Sequence, residues 1–157
     1  MNIICRLAEE SDPPQIFKTN IGLSGKIIDE ELLPTYVRER RVFCAEVDGE
    51  ITSVLYWENN FVSDPDFWFI HQITTATKWR RKGVATKLIR EFLKYVVSNN
   101  VKKVFADVRE TNPKSQGLMK KLGAIECGWL KGLDNDSDKD GYDPEADVWK
   151  IYRFDLN

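Results

Sequence analysis

A short basic segment with one glycine is the part of the sequence best suited to bind a ligand. It spans residues 80–85 and reads RRKGVA. The preceding residues, 67–75, are rich in aromatic and β-branched types, which suit a strand. The residues that follow, 84–97, repeat apolar side chains at intervals of three and four, which predicts an amphipathic helix. The basic segment therefore forms the turn between a strand and a helix.

A turn in this position is suited to a phosphate group. The N-terminus of a helix has backbone N–H groups without partners and carries partial positive charge, so it attracts an anion. Gly83 and the small Ala85 allow a ligand to approach the backbone, and the three basic side chains add charge. The alternative is a solvated basic turn with an ordinary glycine. The segment has neither the Gly-x-Gly-x-x-Gly of dinucleotide-binding folds nor the Gly-Lys-Ser/Thr end of a P-loop.

The strand, turn and helix resemble the acetyl-CoA pyrophosphate motif, Arg-x-x-Gly-x-Ala, of the GNAT superfamily of N-acetyltransferases. A second stretch, 104–124, is similar to the family's next strand, its motif asparagine and a helix that ends in Lys-Leu-Gly. Residues 4–12 resemble the first strand and the aspartate that opens the first helix. Residues 42–57 read as two strands joined by a tight turn at 48–49. The resemblance covers nearly the whole chain.

This resemblance implies an α/β fold, with a GNAT-type mixed, splayed central β-sheet flanked by α-helices. We expect a single domain over residues 1–157, with an acidic loop inserted at 134–147. The implied cofactor is acetyl-CoA, and the implied reaction is direct attack by a primary amine in a ternary complex. By carry-over, the backbone of Ile73, Thr74 and Thr75 holds the pantetheine arm. The other positions carried over as cofactor-binding are Arg80, Arg81, Lys82, Gly83, Val84, Ala85, Thr86, Asn112, Ser115 and Lys121.

Acetyl transfer to an amine needs a group that accepts a proton, because the acceptor is protonated at neutral pH. Strand alternation predicts that Phe69, His71, Ile73 and Thr75 share one face, with Gln72 on the other. His71 is the single histidine of the chain, and imidazole accepts a proton near neutral pH. Several relatives place a glutamate near this position. The alternative is that His71 is a polar residue packed under the sheet.

Asp107 is a second candidate base. It occupies a position where the ribosomal-protein N-terminal acetyltransferase branch usually has a glutamate. Its shorter side chain is expected to act through an ordered water or only to hold the end of the strand. Glu58, at the end of an earlier strand, is a third candidate.

Met119 is the clearest departure from the family pattern. Many relatives have a tyrosine seven residues after the motif asparagine, where its hydroxyl protonates the departing thiolate. A thioether has no proton to donate. The general-acid role therefore passes to water or to another tyrosine, for which Tyr36 and Tyr142 are the candidates.

An acidic segment at 134–147 has a spacing that resembles an EF-hand calcium loop. Counted from Asp136, oxygen ligands fall at positions 1, 3, 5, 7 and 12 and a glycine at position 6. The predicted metal ligands are Asp136, Asp138, Asp140, the Tyr142 carbonyl and Asp147. No obvious helix pair flanks the segment, so a solvated acidic loop is the alternative. A third interpretation is that the loop attracts a polycationic amine.

Composition restricts the class of protein. The chain has 157 residues, 42% of them hydrophobic, and a formal net charge of −2, which argues against a general nucleic-acid binder. No apolar stretch has the length of a membrane span, so we expect a soluble, cytoplasmic protein. Three widely spaced cysteines, Cys5, Cys44 and Cys127, are expected to be buried and structural.

The predicted function is N-acetylation of a primary amine, with a small (poly)cationic amine favoured as the acceptor. One alternative is acetylation of a protein N-terminus or lysine. Another is a non-catalytic acyl-CoA-binding regulatory module, which the missing tyrosine makes conceivable. A calcium-binding interaction protein is a further alternative. Dimers are common among relatives, so a homodimer is also considered, although the sequence identifies no exposed patch for it.

Overall fold

The computed structural model describes residues 1–18, 31–59, 66–132 and 141–156. Its strands are β1 (Ile3–Leu7), β2 (Val42–Val47), β3 (Glu50–Glu58), β4 (Phe67–Thr75), β5 (Lys103–Arg109), β6 (Ile125–Lys131) and β7 (Val148–Asp155). Its helices are α1 (Pro13–Lys18), α2 (Leu33–Arg38), α3 (Val84–Ser98) and α4 (Pro113–Lys121). A short 3₁₀ helix, Thr77–Trp79, precedes α3. The predicted loop between the first two helices lies outside the described residues.

The strands form one mixed sheet with the order β1-β2-β3-β4-β5-β7-β6. Neighbouring strands are antiparallel except for β4 and β5, which are parallel and are joined through α3. The predicted turn between β2 and β3 is confirmed, because Asp48 and Gly49 both have positive φ, at 52° and 80°. The mixed α/β fold that the resemblance implied is also confirmed.

The sheet divides where β4 and β5 separate. Their parallel pairing runs from Phe67 and Lys103 to Ile70 and Ala106 and ends there within the described residues. Beyond that point β4 continues on β3, and β5 continues on β7. We call this divergence, between residues 71–75 of β4 and 107–109 of β5, the fork. It leaves one edge of each strand without a neighbouring strand.

A β-bulge at His71 accompanies the fork. Tyr56 of β3 is opposite Gln72, whereas the next residue, Trp57, is opposite Ile70, so His71 is the extra residue. A bulge bends its strand and increases the local twist, which turns β4 away from β5. The predicted strict alternation along β4 is therefore wrong. Ile73 packs against the same core cluster as Ile70, whereas Gln72 and His71 both contact Tyr56 on the other face.

Two apolar clusters lie on the two faces of the sheet. The larger cluster includes the buried side chains Leu88, Ile89 and Phe92 of α3, and in it Trp57 stacks on Trp68 with ring centroids 5.2 Å apart. The amphipathic face predicted for α3 is confirmed except at its end, where Val97 is 41% exposed. The smaller cluster includes side chains of α1 and α2. Among the described residues, no helix is long and apolar enough to cross a membrane.

The three cysteines are free, and they are not all buried. Cys44 is buried and Cys5 is partly buried, whereas Cys127 is exposed. The prediction that all three are buried is therefore wrong for Cys127. This residue is the extra residue of a bulge in β6, which lies at the edge of the sheet. An edge strand is covered on fewer sides than a central one, so its side chains stay accessible.

Asp12 connects β1 to α1. Its carboxylate accepts hydrogen bonds from Arg6 Nη1 at 2.7 Å and from the backbone N–H of Glu9 at 2.7 Å. Arg6 also binds Glu46 of β2, with Nη2 and Oε2 3.1 Å apart. Desolvation opposes ionisation of Asp12, but these hydrogen bonds outweigh it and hold its pKa below the usual range. Asp12 therefore stabilises the folded protein in its charged form.

We expect Asp12→Asn to lower the free energy of unfolding by about 2 kcal/mol at pH 7, because it leaves the partly buried Arg6 without its charge partner. The contribution of a carboxyl with a depressed folded pKa is complete above its unfolded pKa of about 4 and is lost as pH falls. The difference from the parent, measured by urea unfolding, should therefore shrink at pH 3. Asp155→Asn, which removes the exposed Arg153–Asp155 pair, is the control and should cost less than about 1 kcal/mol. An equal loss from both variants would contradict the role given to Asp12.

Candidate active site

A cavity of about 590 Å³ lies beside the second half of β4. The start of α3, the start of α4 and the turn that precedes α3 complete its wall. Its lining residues are Gln72, Ile73, Thr74, Thr75, Trp79, Arg80, Arg81, Gly83, Val84, Ala85, Thr86, Asn112, Lys114, Ser115, Leu118 and Met119. This set contains three cationic side chains, those of Arg80, Arg81 and Lys114, and no acidic one. The cavity is therefore suited to an anionic ligand.

The turn before α3 places backbone donors at the cavity. Arg81 and Gly83 both have left-handed backbone conformations, with φ of 60° and 80°. Such a φ at a non-glycine residue costs about 1 kcal/mol and is found most often at functional sites. In α3, the first backbone N–H that forms a helical hydrogen bond is that of Lys87, which donates to the Gly83 carbonyl. The N–H groups of the first turn of α3 are therefore free of helical partners where the residues line the cavity.

Arg80 ties this turn to the end of β4. Its Nε donates a hydrogen bond to the Thr75 carbonyl at 3.1 Å, and its side chain is otherwise exposed. Lys82 is also exposed, and its ammonium lies 5.0 Å from the centre of the Trp79 ring. Lys82 does not belong to the cavity lining itself. The predicted basic cluster is thus divided: Arg80 and Arg81 line the cavity, whereas Lys82 lies over the Trp79 ring.

Asn112 caps α4 with one of its two side-chain groups. Its Oδ1 accepts a hydrogen bond from the Ser115 N–H at 3.2 Å, and Pro113 occupies the first turn as predicted. The amide nitrogen takes no part in this cap. Asn112 can therefore serve both as a helix cap and as a donor to a ligand in the cavity. Lys121, at the other end of α4, is exposed and does not line the cavity.

Four lining residues were missed by the sequence reasoning. Gln72 was assigned away from the site because the bulge at its neighbour cannot be seen in the sequence. Leu118 lies three residues after Ser115 on α4, so helical spacing from Ser115 was a usable signal for it. Lys114 is adjacent to Ser115 and had no such signal. Trp79 directly precedes the basic turn, where its ring packs against both apolar clusters.

Met119 lies in the wall of the cavity and is 3% exposed. The position where relatives have a tyrosine hydroxyl is therefore apolar in this chain. Of the two tyrosines considered as replacements, Tyr142 donates a hydrogen bond to Asp147 Oδ2 at 3.0 Å. Tyr36 stacks under Arg41, whose Cζ lies 4.2 Å from the ring centre. Neither tyrosine lines the cavity.

Asp107 is the first residue of β5 beyond the last pair with β4. Its side chain is partly buried and lies on the face opposite Val108, which belongs to the larger cluster. Desolvation raises the pKa of Asp107 to about 6, against a smaller opposing effect of a hydrogen bond from its own N–H. A carboxyl with this pKa is ionised at neutral pH and still basic enough to accept a proton.

His71 is the first residue of β4 beyond the same pair, so it lies on the other arm of the fork. Its ring is exposed and stacks on Tyr56 with centroids 5.7 Å apart. Desolvation by its neighbours lowers the pKa of His71, and the charge of Glu58 opposes this effect. The fork thus brings the two predicted bases, His71 and Asp107, to the same end of the paired region.

Glu58, the third candidate base, is held by Arg41. Glu58 Oε2 lies 2.8 Å from Arg41 Nη1, and Glu58 Oε1 accepts a hydrogen bond from the Asn59 N–H. Arg41 also binds Glu39, and its side chain is only 8% exposed. The Glu58 carboxylate is therefore engaged in holding a nearly buried cation.

The predicted calcium ligands lie only partly within the described residues. Asp136, Asp138 and Asp140 lie outside them. Asp147 is 9% exposed and accepts hydrogen bonds from Tyr142 and from Trp149 Nε1, the latter at 2.8 Å. Among the described residues, no cluster of three or more histidine, cysteine or acidic side chains is placed to hold a metal ion. Both carboxylate oxygens of Asp147 instead accept hydrogen bonds from residues that lie before and within β7.

The sequence profile of the acetyltransferase (GNAT) family matches residues 9–124 of this chain. This match covers well over half of the sequence, and the chain belongs to the GNAT acetyltransferase family. The protein is an acetyl-CoA-dependent N-acetyltransferase by class. A comparison with curated protein sequences finds no significant match.

Solved structures of low sequence identity share the fold. A GNAT-family acetyltransferase from Bacillus cereus superimposes with a TM-score of 0.81 at 21% identity, covering 100% of this chain and 99% of the other. The Salmonella typhimurium protein yncA, solved with its cofactor acetyl-CoA, gives 0.81 at 13% identity, with 100% and 95% covered. The ribosomal-protein-S18-alanine N-acetyltransferase of Escherichia coli gives 0.79 at 15% identity, with 99% and 95% covered.

We expect Gly83→Ala to weaken acetyl-CoA binding at least tenfold, because a methyl group at the start of α3 obstructs close approach of a phosphate to the backbone. Gly123→Ala is the matched control. Both glycines have positive φ, 80° and 95°, and open space where a Cβ would lie, but Gly123 is outside the cavity lining. Both variants should lose about 1 kcal/mol of stability. Calorimetric titration with acetyl-CoA should separate them, and equal affinities would show that the turn does not hold the cofactor.

Proposed function

We propose that this protein transfers the acetyl group of acetyl-CoA to a small primary amine by direct attack, with Asp107 as the general base. The fork carries this proposal. It opens the sheet beside the cationic cavity and sets a desolvated carboxylate at the point where the two strands separate. A cofactor in the cavity and an amine at Asp107 would meet at this opening.

The cavity residues suit acetyl-CoA from its phosphates to its thioester. Arg80, Arg81 and the free N–H groups at the start of α3 would hold the pyrophosphate. The backbone edge of 73–75 has no strand beside it and would bind the amides of the pantetheine arm, with the Thr75 carbonyl already bonded to Arg80. The Asn112 amide nitrogen would donate from α4. Lys114 adds a cation on the α4 side of the cavity. Lys82 and Lys121, which lie outside the lining, would act on the phosphates only at longer range.

The chemical step requires a neutral amine next to the thioester carbon. In the proposed reaction the ammonium of the acceptor gives a proton to Asp107, and the amine nitrogen attacks the carbonyl carbon. The carbon–sulfur bond then breaks, the nitrogen loses a second proton to water, and the thiolate takes one proton from water. Asp107 releases its proton to solvent, so each turnover releases one proton in total. Met119 has no proton to donate, which is tolerable because a thiol is a good leaving group.

Asp107 is preferred to His71 as the base for two reasons. Its carboxylate is more deeply placed, and desolvation raises its pKa towards neutrality, whereas desolvation lowers the pKa of His71. An exposed imidazole stacked on Tyr56 is better suited to contact the acceptor than to take its proton in a water-free setting. His71 would then line the entry of the acceptor to the fork.

The described part of the acidic segment gives little support to a polycationic acceptor. Asp147 is bound by Tyr142 and Trp149, and Glu145 forms an ion pair with Lys131 at 2.8 Å. These carboxylates already have partners in the protein. Acetylation of a protein N-terminus is the second candidate, because Asp107 lies where the corresponding branch of the family has its glutamate. A binding module without turnover would need neither Asp107 nor His71.

We expect kcat/KM to decrease as the pH falls below about 6. The base acts only when it is deprotonated, and burial raises the pKa of Asp107 to about 6. Asp107→Asn should remove this decrease and lower kcat at least a hundredfold while leaving acetyl-CoA affinity unchanged. His71→Gln should raise the KM of the acceptor and retain the decrease. The opposite pattern would assign the base to His71, and two fully active variants would exclude both residues as bases.

We also expect Asp107→Asn to stabilise the protein by about 1–3 kcal/mol at pH 7.5. The folded pKa of Asp107 lies above the unfolded value, so ionisation costs stability as pH rises through about 6. The parent should lose stability between pH 4 and pH 7 relative to the variant in chemical unfolding. A variant that is less stable than the parent at pH 7.5 would mean that the carboxylate holds the end of β5 instead.

The proposed function is tested by measuring the release of CoA thiol from acetyl-CoA with a panel of simple amines, polyamines, amino acids and short peptides. We expect turnover with at least one small primary amine and none without an acceptor. Turnover with peptides alone would replace the small-molecule acceptor by a protein N-terminus. Acetyl-CoA binding without turnover on any acceptor would favour the binding module.

A further inference from the structure

Six aromatic side chains, in two contacting groups, lie on the face of the sheet on which Asp107 lies. Phe67 and Phe105 are in edge-to-face contact with centroids 5.3 Å apart, and Phe69 contacts His71 at 6.1 Å. His71 stacks on Tyr56, which in turn contacts Tyr36 at 5.8 Å. We call these six residues the aromatic layer. His71 is exposed and the other five are partly exposed.

The aromatic layer ends at the fork. Phe69 and Phe105 are neighbours across the parallel pair of β4 and β5, one pair before the last. Asp107 follows Phe105 by two residues and therefore shares its face, about 7 Å further along the strand. His71 follows Phe69 in the same way on the other arm. The rings thus lie next to the candidate base Asp107, on the face of the sheet opposite α3.

The charges around the layer favour one ammonium group over several. Asp107 at the fork forms no ion pair within the described residues, and it is complementary to a single cation. At the other end, Glu58 and Glu39 are both bound by Arg41, which itself covers the Tyr36 ring. A second or third ammonium of a polyamine would therefore meet the Arg41 cation and carboxylates that Arg41 already binds. An uncharged ring would meet surfaces on which it can stack.

We propose that the aromatic layer binds the acceptor and that the preferred acceptor is a small primary amine with an aromatic ring two or three bonds from its nitrogen. A ring stacked beside Phe69 and Phe105 places such a nitrogen close to the Asp107 carboxylate. This inference rests on the proposed function for the site of the reaction and adds the chemical class of the acceptor.

The first test compares phenethylamine, its saturated analogue cyclohexylethylamine and spermidine as acceptors in the CoA-release assay. We expect phenethylamine to give the highest kcat/KM, the saturated ring an intermediate value and spermidine the lowest. A higher kcat/KM with spermidine would overturn the proposal. A peptide that exceeds the free aromatic amine would also overturn it, in favour of a protein acceptor.

The second test uses Phe69→Leu, which keeps an apolar side chain and removes the ring. The Michaelis constant for phenethylamine should rise about three- to tenfold, as loss of one aromatic contact predicts, while that for acetyl-CoA stays unchanged. Trp129→Leu is the control, because Trp129 is an aromatic residue on β6, 63% exposed and outside the layer. Phe105→Leu replaces Phe69→Leu if thermal unfolding shows that the first variant is poorly folded. An unchanged Michaelis constant for the amine in the layer variant would overturn the proposal.

A binding measurement separates this inference from the proposed function. Calorimetric titration of phenethylamine into protein saturated with CoA reports on the layer without any chemical step. Binding that weakens in Phe69→Leu, in a protein that shows no turnover, would support the layer and refute the proposed function. Equal kcat/KM for amines with and without an aromatic ring would support the proposed function and refute the role of the aromatic layer. Absence of binding to the CoA-saturated parent would overturn the inference.

Discussion

The separation of β4 from β5 is the constraint on which the rest of this structure depends. Parallel pairing holds the two strands together only as far as Ile70 and Ala106, and the bulge at His71 bends β4 away at that point. Each strand keeps a partner on its other side, so the backbone stays ordered while one edge remains free. A regular pair at this position would close the sheet and remove the cavity and the acceptor opening together.

The large apolar cluster compensates for this local loss of pairing. Trp57, Trp68 and Phe92 pack together where β4 is still paired, and the start of α3 continues from the same cluster. Because the core holds both ends of the turn, the turn retains two residues with left-handed backbone and a helix start with unpaired N–H groups. The strain and the unsatisfied donors are concentrated where an anionic cofactor would relieve them.

The same arrangement explains the unusual setting of Asp107. A carboxyl at the mouth of the fork loses water to the surrounding strands and rings, which raises its pKa and lowers the stability of the folded state at neutral pH. Such a position is unfavourable for a purely structural residue. Arg41 shows the opposite arrangement, since a nearly buried charge there is bound by two carboxylates and by an aromatic ring. The comparison shows how desolvation without an ion-pair partner among the described residues marks Asp107 as a candidate for chemistry.

The sequence by itself determined β4, the helix α3, the hairpin of β2 and β3 with its Asp48–Gly49 turn, and the basic turn before α3, because these follow from local spacing and turn chemistry. It also indicated Asp107, His71 and most of the cavity wall through the family resemblance. Only the tertiary structure decided the bulge at His71, and with it the face of Gln72 and the place of the fork. The tertiary structure also decided the exposure of Cys127 and the grouping of the aromatic side chains. These features arise from pairing between strands distant in sequence, which no local pattern records.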